Sequence, residues 1–228
     1  MNSTLLISEQ SPHAIAIWPI RQQVNRIINE LIASLPDHKT LAGDEQRGII
    51  ARYTAVLEGN FIYWMTAAYL AAQSEEARSI LLDNLREEVR DAHPAMLRRF
   101  AIAAMAFPMD SDSLAVHDSL TNVRLFFGRL SGVQSILAMA FFEGFIQRFM
   151  GYLAGLAAAR GSVDMEYTDV HGVCDIAHTE GLYQALSAEM TVNPLDRSQA
   201  LFEGVDLLRA LIGNIVFNAT IVRTQCSD

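Results

Sequence analysis

Apolar residues recur at helical spacing along most of the chain, and the strict alternation typical of β-strands is nearly absent. Turn residues and helix-capping residues divide this pattern into seven or eight predicted helices. Their approximate spans are 12–34, 43–72, 74–90, 94–107, 111–129, 130–159, 164–190 and 195–224. The pattern therefore predicts an all-α helical bundle. No stretch rich in Pro, Gly or Ser divides the 228 residues, so we expect one domain over 1–228, with 1–11 as a loose N-terminal tail.

The apolar segment 130–159 approaches the length of a membrane span. Glu143, Gln147 and Arg148 lie at its centre, and a charged residue there would cost roughly 2.5 to 3.5 kcal/mol in hydrocarbon. We therefore expect a buried core helix and no membrane insertion. Small residues at spacings of three and four, such as Gly144, favour the close approach of a neighbouring helix.

Charge narrows the class of partner. The formal net charge is -9 and the isoelectric point is about 5.1, whereas nucleic acid or an anionic membrane would require a basic surface. A small molecule is the better expectation. The chain has two cysteines, Cys174 and Cys226, and no signal-like segment in 1–10, which together favour a reducing cytoplasm.

His171, Asp175 and His178 have the most informative spacing in the sequence. Residues at i, i+4 and i+7 of a helix share nearly one azimuth, so two imidazoles and a carboxylate would face the same way. This combination suits iron or manganese better than a structural zinc ion, which usually has thiolate ligands. The alternative is a polar helix face exposed to water.

Two carboxylates stand in strongly apolar surroundings. Glu143 lies between Phe142 and Gly144 in the apolar helix, and Glu58 has a similar setting in the predicted helix 43–72. A carboxylate buried there must be paired, protonated or bound to a metal. The alternative for each is an ion pair with an arginine, the candidates being Arg52, Arg124 and Arg148.

A further pair of ligands lies in the run from Asn84 to Pro94. Glu87 or Glu88 would share a site with His93 only if the chain bends before Pro94. The alternative is a solvated helix end. If Glu58, Glu88, Glu143 and Asp175 surround two divalent cations, four negative charges meet four positive ones, and three neutral histidines complete a dinuclear centre.

These residues give the chain a resemblance to the haem-oxygenase-like di-iron oxidases and oxygenases. The resemblance rests on Glu58, on Asn84 with Glu88 and His93, on Glu143, and on the His-x3-Asp-x2-His helix. It covers nearly the whole chain in length and helix order, and it favours Glu88 over Glu87. Ferritin-like bundles, by contrast, carry Glu-x-x-His pairs, which the sequence lacks.

The resemblance implies two Fe(II) per chain, with manganese as the alternative metal, O2 as co-substrate, an external electron donor, and a homodimer. It implies oxidation of a small substrate, for which we expect an amino acid altered by C–C cleavage, N-oxidation or nitrile formation. Oxidative decarboxylation of a fatty acid is the alternative on the same site. A metal-independent enzyme acting through Cys174 and a non-catalytic protein that binds an apolar ligand are the other hypotheses.

Helical steps from the proposed ligands predict a largely apolar pocket wall, so the substrate should have an apolar or aromatic portion. The predicted wall consists of Phe61, Ile62, Met65, Met139, Ile146, Gln147, Cys174 and Leu182. Core packing explains the same side chains equally well. An amino acid would also need a cation for its carboxylate, and the sequence alone does not identify the arginine.

Overall fold

The computed structural model describes residues 12–194 and 200–217, and this part of the chain contains nine α-helices and no β-strand. The helices are α1 (Pro12–Ala33), α2 (Gly43–Leu57), α3 (Asn60–Ala71), α4 (Glu75–Arg90), α5 (His93–Ala103), α6 (Asp110–Phe127), α7 (Gly132–Ala159), α8 (Glu166–Val192) and α9 (Glu203–Phe217). The all-α prediction is confirmed. The predicted tail 1–11, Cys226 and both ends of the predicted last helix lie outside the described residues.

The predicted helix 43–72 is in fact two helices. Gly59 has a φ of 84°, in the left-handed region that favours glycine, and this residue separates α2 from α3. Glu58 is consequently the C-cap of α2 rather than an interior residue of a long helix. The expectation that Glu58 lies in the middle of a core helix is wrong.

The bend before Pro94 that a shared Glu–His site would require is present. Ala92 has a φ of 53° between α4 and α5, and Pro94 occupies the first turn of α5, where its missing N–H leaves no hydrogen bond unmade. The bend turns the end of α4 and the start of α5 toward the same interior space. Glu88 and His93 are both buried as a result.

Helix α4 is anchored at its N-terminus. Ser74 caps it by accepting a hydrogen bond from the backbone N–H of Ala77 at 3.3 Å. The carboxylate of Glu189 on α8 accepts further hydrogen bonds from the backbone N–H groups of Gln73 and Ser74, each at 2.9 Å. These bonds fix α4 against α8 and thereby position the C-terminal half of α4.

Helix α7 lies at the centre of the bundle. Its most extensive contact is with α8, and it also packs against α1, α2, α3 and α9. It is long and apolar enough to cross a membrane by length and composition alone, but its most apolar window is 78% buried within the protein. A Cβ added at Gly144 would lie 3.2 Å from Ile28 on α1 and 3.6 Å from Thr179 on α8. The absence of a side chain there allows the three helices to pack closely.

Candidate metal centre

The three residues of the spaced motif lie buried on one face of α8. His171, Asp175 and His178 are at most 5% exposed, whereas Val173 and Ile176 on the other side of the helix are 72% and 55% exposed. A water-exposed polar face is therefore excluded for this triplet. Their side chains face the residues that α4, α5 and α7 contribute.

One group of potential ligands is formed by Glu88, His93 and His171. One donor atom from each lies within 4.8 Å of the others, and the rings of His93 and His171 meet edge to face with centroids 4.5 Å apart. His93 Nδ1 is 2.8 Å from Glu88 Oε1. The predicted choice of Glu88 over Glu87 as the partner of His93 agrees with this geometry.

His171 is held in the form that a metal requires. Its Nδ1 donates to the backbone carbonyl of Tyr167 at 2.8 Å, which leaves Nε2 with the free lone pair. Burial lowers its pKa to about 4, so the ring is neutral at physiological pH. Burial also opposes charge on His93, but its hydrogen bond to Glu88 and the charge of that carboxylate outweigh burial and raise the pKa of His93.

A second group contains Asp175 and His178 from α8 and Glu143 from α7. His178 Nδ1 is 3.6 Å from Glu143 Oε1 and 4.0 Å from Asp175 Oδ1, which are ion-pair rather than hydrogen-bond distances. Burial opposes charge on His178, yet the surrounding carboxylates outweigh it and raise its pKa to about 10. Burial raises the pKa of Glu143, and burial together with the charge of Glu143 raises that of Asp175.

Several atoms of this second group have no hydrogen-bond partner. Glu143 Oε1, Asp175 Oδ2 and His178 Nδ1 are all buried, and none makes a hydrogen bond within the described structure. A buried polar atom left unpaired costs on the order of 1–3 kcal/mol. Buried oxygen and nitrogen atoms that face one another without hydrogen-bond partners are the arrangement expected around a divalent metal ion.

Other buried carboxylates in the protein show the contrast. Arg47 binds Asp112 through two hydrogen bonds of 3.1 and 2.7 Å, and Glu189 is satisfied by the N-terminus of α4. Within the described residues, no arginine or lysine nitrogen lies within 4.0 Å of Glu88, Glu143 or Asp175. The arginine pairing considered for Glu143 is therefore not observed.

Glu58 does not join either group. Its carboxylate accepts a hydrogen bond from Nε of Arg98 on α5 at 2.7 Å, and its side chain is 26% exposed. The left-handed turn at Gly59 follows the end of α2 at Leu57, and Glu58, as the C-cap of α2, pairs with Arg98. The structure thus separates Glu58 from the other six predicted ligands.

Glu87 takes part in the site, although the sequence argument set it aside. Its Oε2 is 2.9 Å from Nε2 of His178, and its side chain is 46% exposed. Glu87 and Glu88 therefore reach two different histidines from adjacent positions of α4. The missed signal was that two consecutive carboxylates can reach two different histidines rather than compete for one.

Cys174 lies beside the second group, with its thiol 3.1 Å from Asp175 Oδ1. Burial and the adjacent carboxylate raise the pKa of this thiol. Because the thiolate is the nucleophilic form, these surroundings disfavour a nucleophilic role for Cys174.

A small cavity adjoins the first group of ligands. Its volume is about 20 Å³, roughly the space of one water molecule. It is lined by Glu88, His93, Glu143 and His171 together with Leu57, Phe61, Ile62, Pro94, Leu97, Ile146 and Tyr167. Ligands from α4, α5, α7 and α8 thus share one largely apolar space.

Three of the eight predicted wall residues line this cavity, namely Phe61, Ile62 and Ile146. Three others, Met65, Met139 and Leu182, are fully buried but do not line it. Gln147 and Cys174 are only partly buried and also lie outside its lining. Pro94 and Leu97 were missed because the sequence did not show how α5 would fold back over α2.

Comparison of this chain with protein-family models, with curated proteins and with solved structures found no match.

Proposed function

We propose that the chain is a non-haem di-iron enzyme that uses O2 to oxidise a small substrate. The observation that carries the proposal is the meeting of three buried carboxylates, Glu88, Glu143 and Asp175, with three buried histidines. Among the residues that the structure describes, no arginine or lysine nitrogen lies within 4.0 Å of these carboxylates. The unpartnered atoms of Glu143, Asp175 and His178 add to it. The resemblance to haem-oxygenase-like di-iron enzymes points the same way.

The chain's residues would hold the two metals as two groups. Glu88, His93 and His171 would bind one ion, and Glu143, Asp175 and His178 the other. Glu87, hydrogen-bonded to Nε2 of His178, would orient that imidazole from the side away from the ion, and three carboxylates would offset three of the four positive charges of two divalent cations. The mixture of imidazole and carboxylate favours iron, with manganese as the alternative.

When bound, two Fe(II) ions would supply electrons to O2 and oxidising power toward the substrate, and an external donor would restore them. The chain supplies the environment for that chemistry. Phe61, Ile62 and Ile146 surround the ligands with apolar surface that excludes water. The Tyr167 carbonyl orients His171, and the Tyr167 hydroxyl is fixed by a 2.9 Å hydrogen bond with Tyr53.

The apolar lining supports a substrate with an aromatic or aliphatic portion beside the metals, with an amino acid as the first candidate. Oxidative decarboxylation of a fatty acid is the alternative reaction at the same site. A homodimer in the cytoplasm stays a prediction.

Iron titration tests the proposal directly. Metal-free protein should take up two Fe(II) per chain under anaerobic conditions, and exposure to air should then consume O2. Glu143→Gln should bind at most one iron, because it removes a ligand that no other side chain replaces. Glu58→Gln, the matched control, should still bind two, because Glu58 pairs with Arg98 instead.

The proposal would be overturned if the folded wild-type protein bound no iron. Loss of iron from Glu58→Gln equal to that from Glu143→Gln would contradict the assignment of ligands. Circular dichroism of each variant establishes that the helices are intact.

A further inference from the structure

The buried carboxylates at the candidate metal centre fall one charge short of two divalent cations. Glu88, Glu143 and Asp175 supply three negative charges, whereas Glu58, which the sequence offered as the fourth carboxylate, is engaged in an ion pair elsewhere. An uncompensated charge in a buried centre is unfavourable, so a further anionic ligand would stabilise two bound ions.

Cys174 lies where such a ligand is needed. It is the one cysteine in the part of the chain that the structure describes, and it precedes His178 on α8 by four residues, so the two share a face of the helix. Asp175 follows directly. One donor atom from each of these three residues lies within 4.8 Å of the others, whereas the first group of ligands contains no sulfur. The two candidate metal positions therefore differ in their chemistry.

The spacing of the donor atoms fits ligands of a single ion. Bond lengths of about 2.3 Å to sulfur and about 2.1 Å to oxygen or nitrogen place two ligands of a tetrahedral zinc ion roughly 3.4–3.6 Å apart. Asp175 Oδ1 lies 3.1 Å from the Cys174 sulfur and 4.0 Å from His178 Nδ1. Shifts of about half an ångström would bring both pairs to the distances that tetrahedral ligation requires.

The atoms around the thiol are themselves unsatisfied. Asp175 Oδ2, His178 Nδ1 and Glu143 Oε1 are buried, and none makes a hydrogen bond within the described structure. A free cysteine in a core is usually only a small apolar residue, with other apolar side chains around it. Cys174 instead adjoins three donor atoms that have no partner, which is the setting of a metal ligand.

Coordination of the thiol balances the charges of the centre. The S–H bond breaks, the sulfur keeps the electron pair and donates it to the metal, and the proton leaves to solvent, with no change of oxidation state. The positive charge of the ion offsets the repulsion between the thiolate and the adjacent Asp175 carboxylate. One thiolate and three carboxylates then match the four positive charges of two divalent cations.

We propose that Cys174 is a ligand of the ion in the second group, with Glu143, Asp175 and His178, and that this position therefore prefers zinc to iron. Sulfur is the softest of the available ligands and favours zinc, and such ligands generally bind divalent zinc more tightly than divalent iron. The charge count rests on the proposed function. The preference of the second group does not, because it requires neither a second ion nor turnover.

Cobalt(II) provides the spectroscopic test, because it has the charge of zinc, accepts the same ligands and reports a bound thiolate by its colour. Metal-free protein titrated with Co(II) under anaerobic conditions should develop a near-ultraviolet absorption band from thiolate-to-cobalt charge transfer, complete at one ion per chain. One equivalent of Zn(II) should abolish the band, whereas one equivalent of Fe(II) should leave most of it.

The two cysteines of the chain supply the matched variants. Cys174→Ser should remove the band and weaken Zn(II) binding by roughly tenfold or more, since even the loss of a group that only orients a ligand has an effect of this size. Cys226→Ser, the control, should keep both the band and the affinity. Because the chain has only these two cysteines, a band that persists in Cys226→Ser arises from Cys174 even if the Cys174 variant fails to fold.

The inference would be overturned if wild-type protein gave no band, if Cys226→Ser abolished it, or if folded Cys174→Ser bound Zn(II) as tightly as wild type. Displacement of the cobalt by Fe(II) as readily as by Zn(II) would also contradict it. These outcomes are separate from the iron titration. Two irons per chain without the cobalt–thiolate band would reject this site alone, and the band in a protein that takes up no iron would reject the di-iron proposal alone.

Discussion

Asp112 and Asp175 show how differently one residue type is accommodated in this core. Both aspartates are buried, but Arg47 donates two hydrogen bonds to Asp112, whereas Asp175 faces Glu143 and receives one weak hydrogen bond from the Cys174 thiol. Burial and the neighbouring charge of Glu143 raise the pKa of Asp175 well above its ordinary value. An ionised Asp175 therefore destabilises the metal-free protein, whereas a bound metal ion would offset this cost in the metal-loaded protein.

Replacing each aspartate by asparagine should change stability in opposite directions. In metal-free protein at pH 8, Asp175→Asn should raise the free energy of unfolding by on the order of 1 kcal/mol, because it removes a buried carboxylate that is repelled by Glu143 and shares the single His178 cation with it. Asp112→Asn should lower it by about 3–5 kcal/mol, because it leaves Arg47 without its carboxylate. Urea denaturation of both variants measures the difference.

The pH dependence of the stability difference between Asp175→Asn and the wild-type protein supplies the control. A group whose pKa is raised by folding stabilises below its unfolded pKa, about 3.9 for aspartate, and this stability is lost as the pH rises through the folded value. The stability advantage of Asp175→Asn should therefore grow from pH 5 to pH 8. An advantage that is constant over this range would show that Asp175 is not the group responsible.

Residue patterns predicted most of the candidate site. The spacing of His171, Asp175 and His178 requires only that the segment be helical, and the apolar neighbours of Glu143 require only that α7 be buried. Glu58 met the second criterion but depended on an uninterrupted helix. Glu87 could not be placed, because periodicity does not distinguish one partly exposed carboxylate that turns inward from another that stays in water.

At the scale of the elements, two short breaks determine which side chains meet. Gly59 separates α2 from α3 and directs Glu58 toward Arg98, and Ala92 turns α5 back so that His93 meets Glu88. A helix break near Ala92 could be anticipated from Pro94, because proline favours the first turn of a new helix. The break at Gly59 was not, because an isolated glycine in a helical pattern is often tolerated.

Two glycine substitutions should confirm the different roles of these positions. Gly59→Ala places a side chain at a φ of 84°, and although nothing lies within 4 Å of the new Cβ, the backbone strain should cost about 1–2 kcal/mol. Gly213→Ala, within α9, also meets nothing within 4 Å and should stabilise by roughly 0.5–1 kcal/mol, because alanine favours helix.

Chemical denaturation of the metal-free variants distinguishes the two effects. If the Gly59→Ala variant is as stable as the wild-type protein, α2 and α3 join into one helix in solution. Such a variant would also lose the Glu58–Arg98 pair.

At the scale of the whole molecule, the candidate ligands come from four helices that are distant in sequence. Helix periodicity predicted the class of fold and the burial of α7, but no local pattern states which faces of α4, α5, α7 and α8 converge. Long-range packing decides this, including the Glu189 bonds that anchor α4 on α8. The sequence therefore predicted which histidines and carboxylates of α7 and α8 are buried better than the shape of the cavity beside them.

Because the ligands meet only in the folded state, a bound metal should stabilise the whole bundle by linkage. At a free metal concentration about one hundred times the dissociation constant, the gain is about 2.7 kcal/mol. For a chain of this size that corresponds to a rise of roughly 5–10 °C in melting temperature. Anaerobic Fe(II) and Mn(II) should both produce this rise in the wild-type protein.

Mg²⁺ discriminates between a metal centre and general charge neutralisation. It prefers oxygen ligands and keeps several waters, so it should raise the melting temperature much less than Fe(II) at equal concentration. An equal rise with Mg²⁺ would indicate that the buried carboxylates merely need a countercharge, and that the histidines contribute no ligands. His171→Ala sharpens the comparison: it removes a nitrogen donor without altering the carboxylates, so it should diminish the Fe(II) effect and leave the Mg²⁺ effect unchanged.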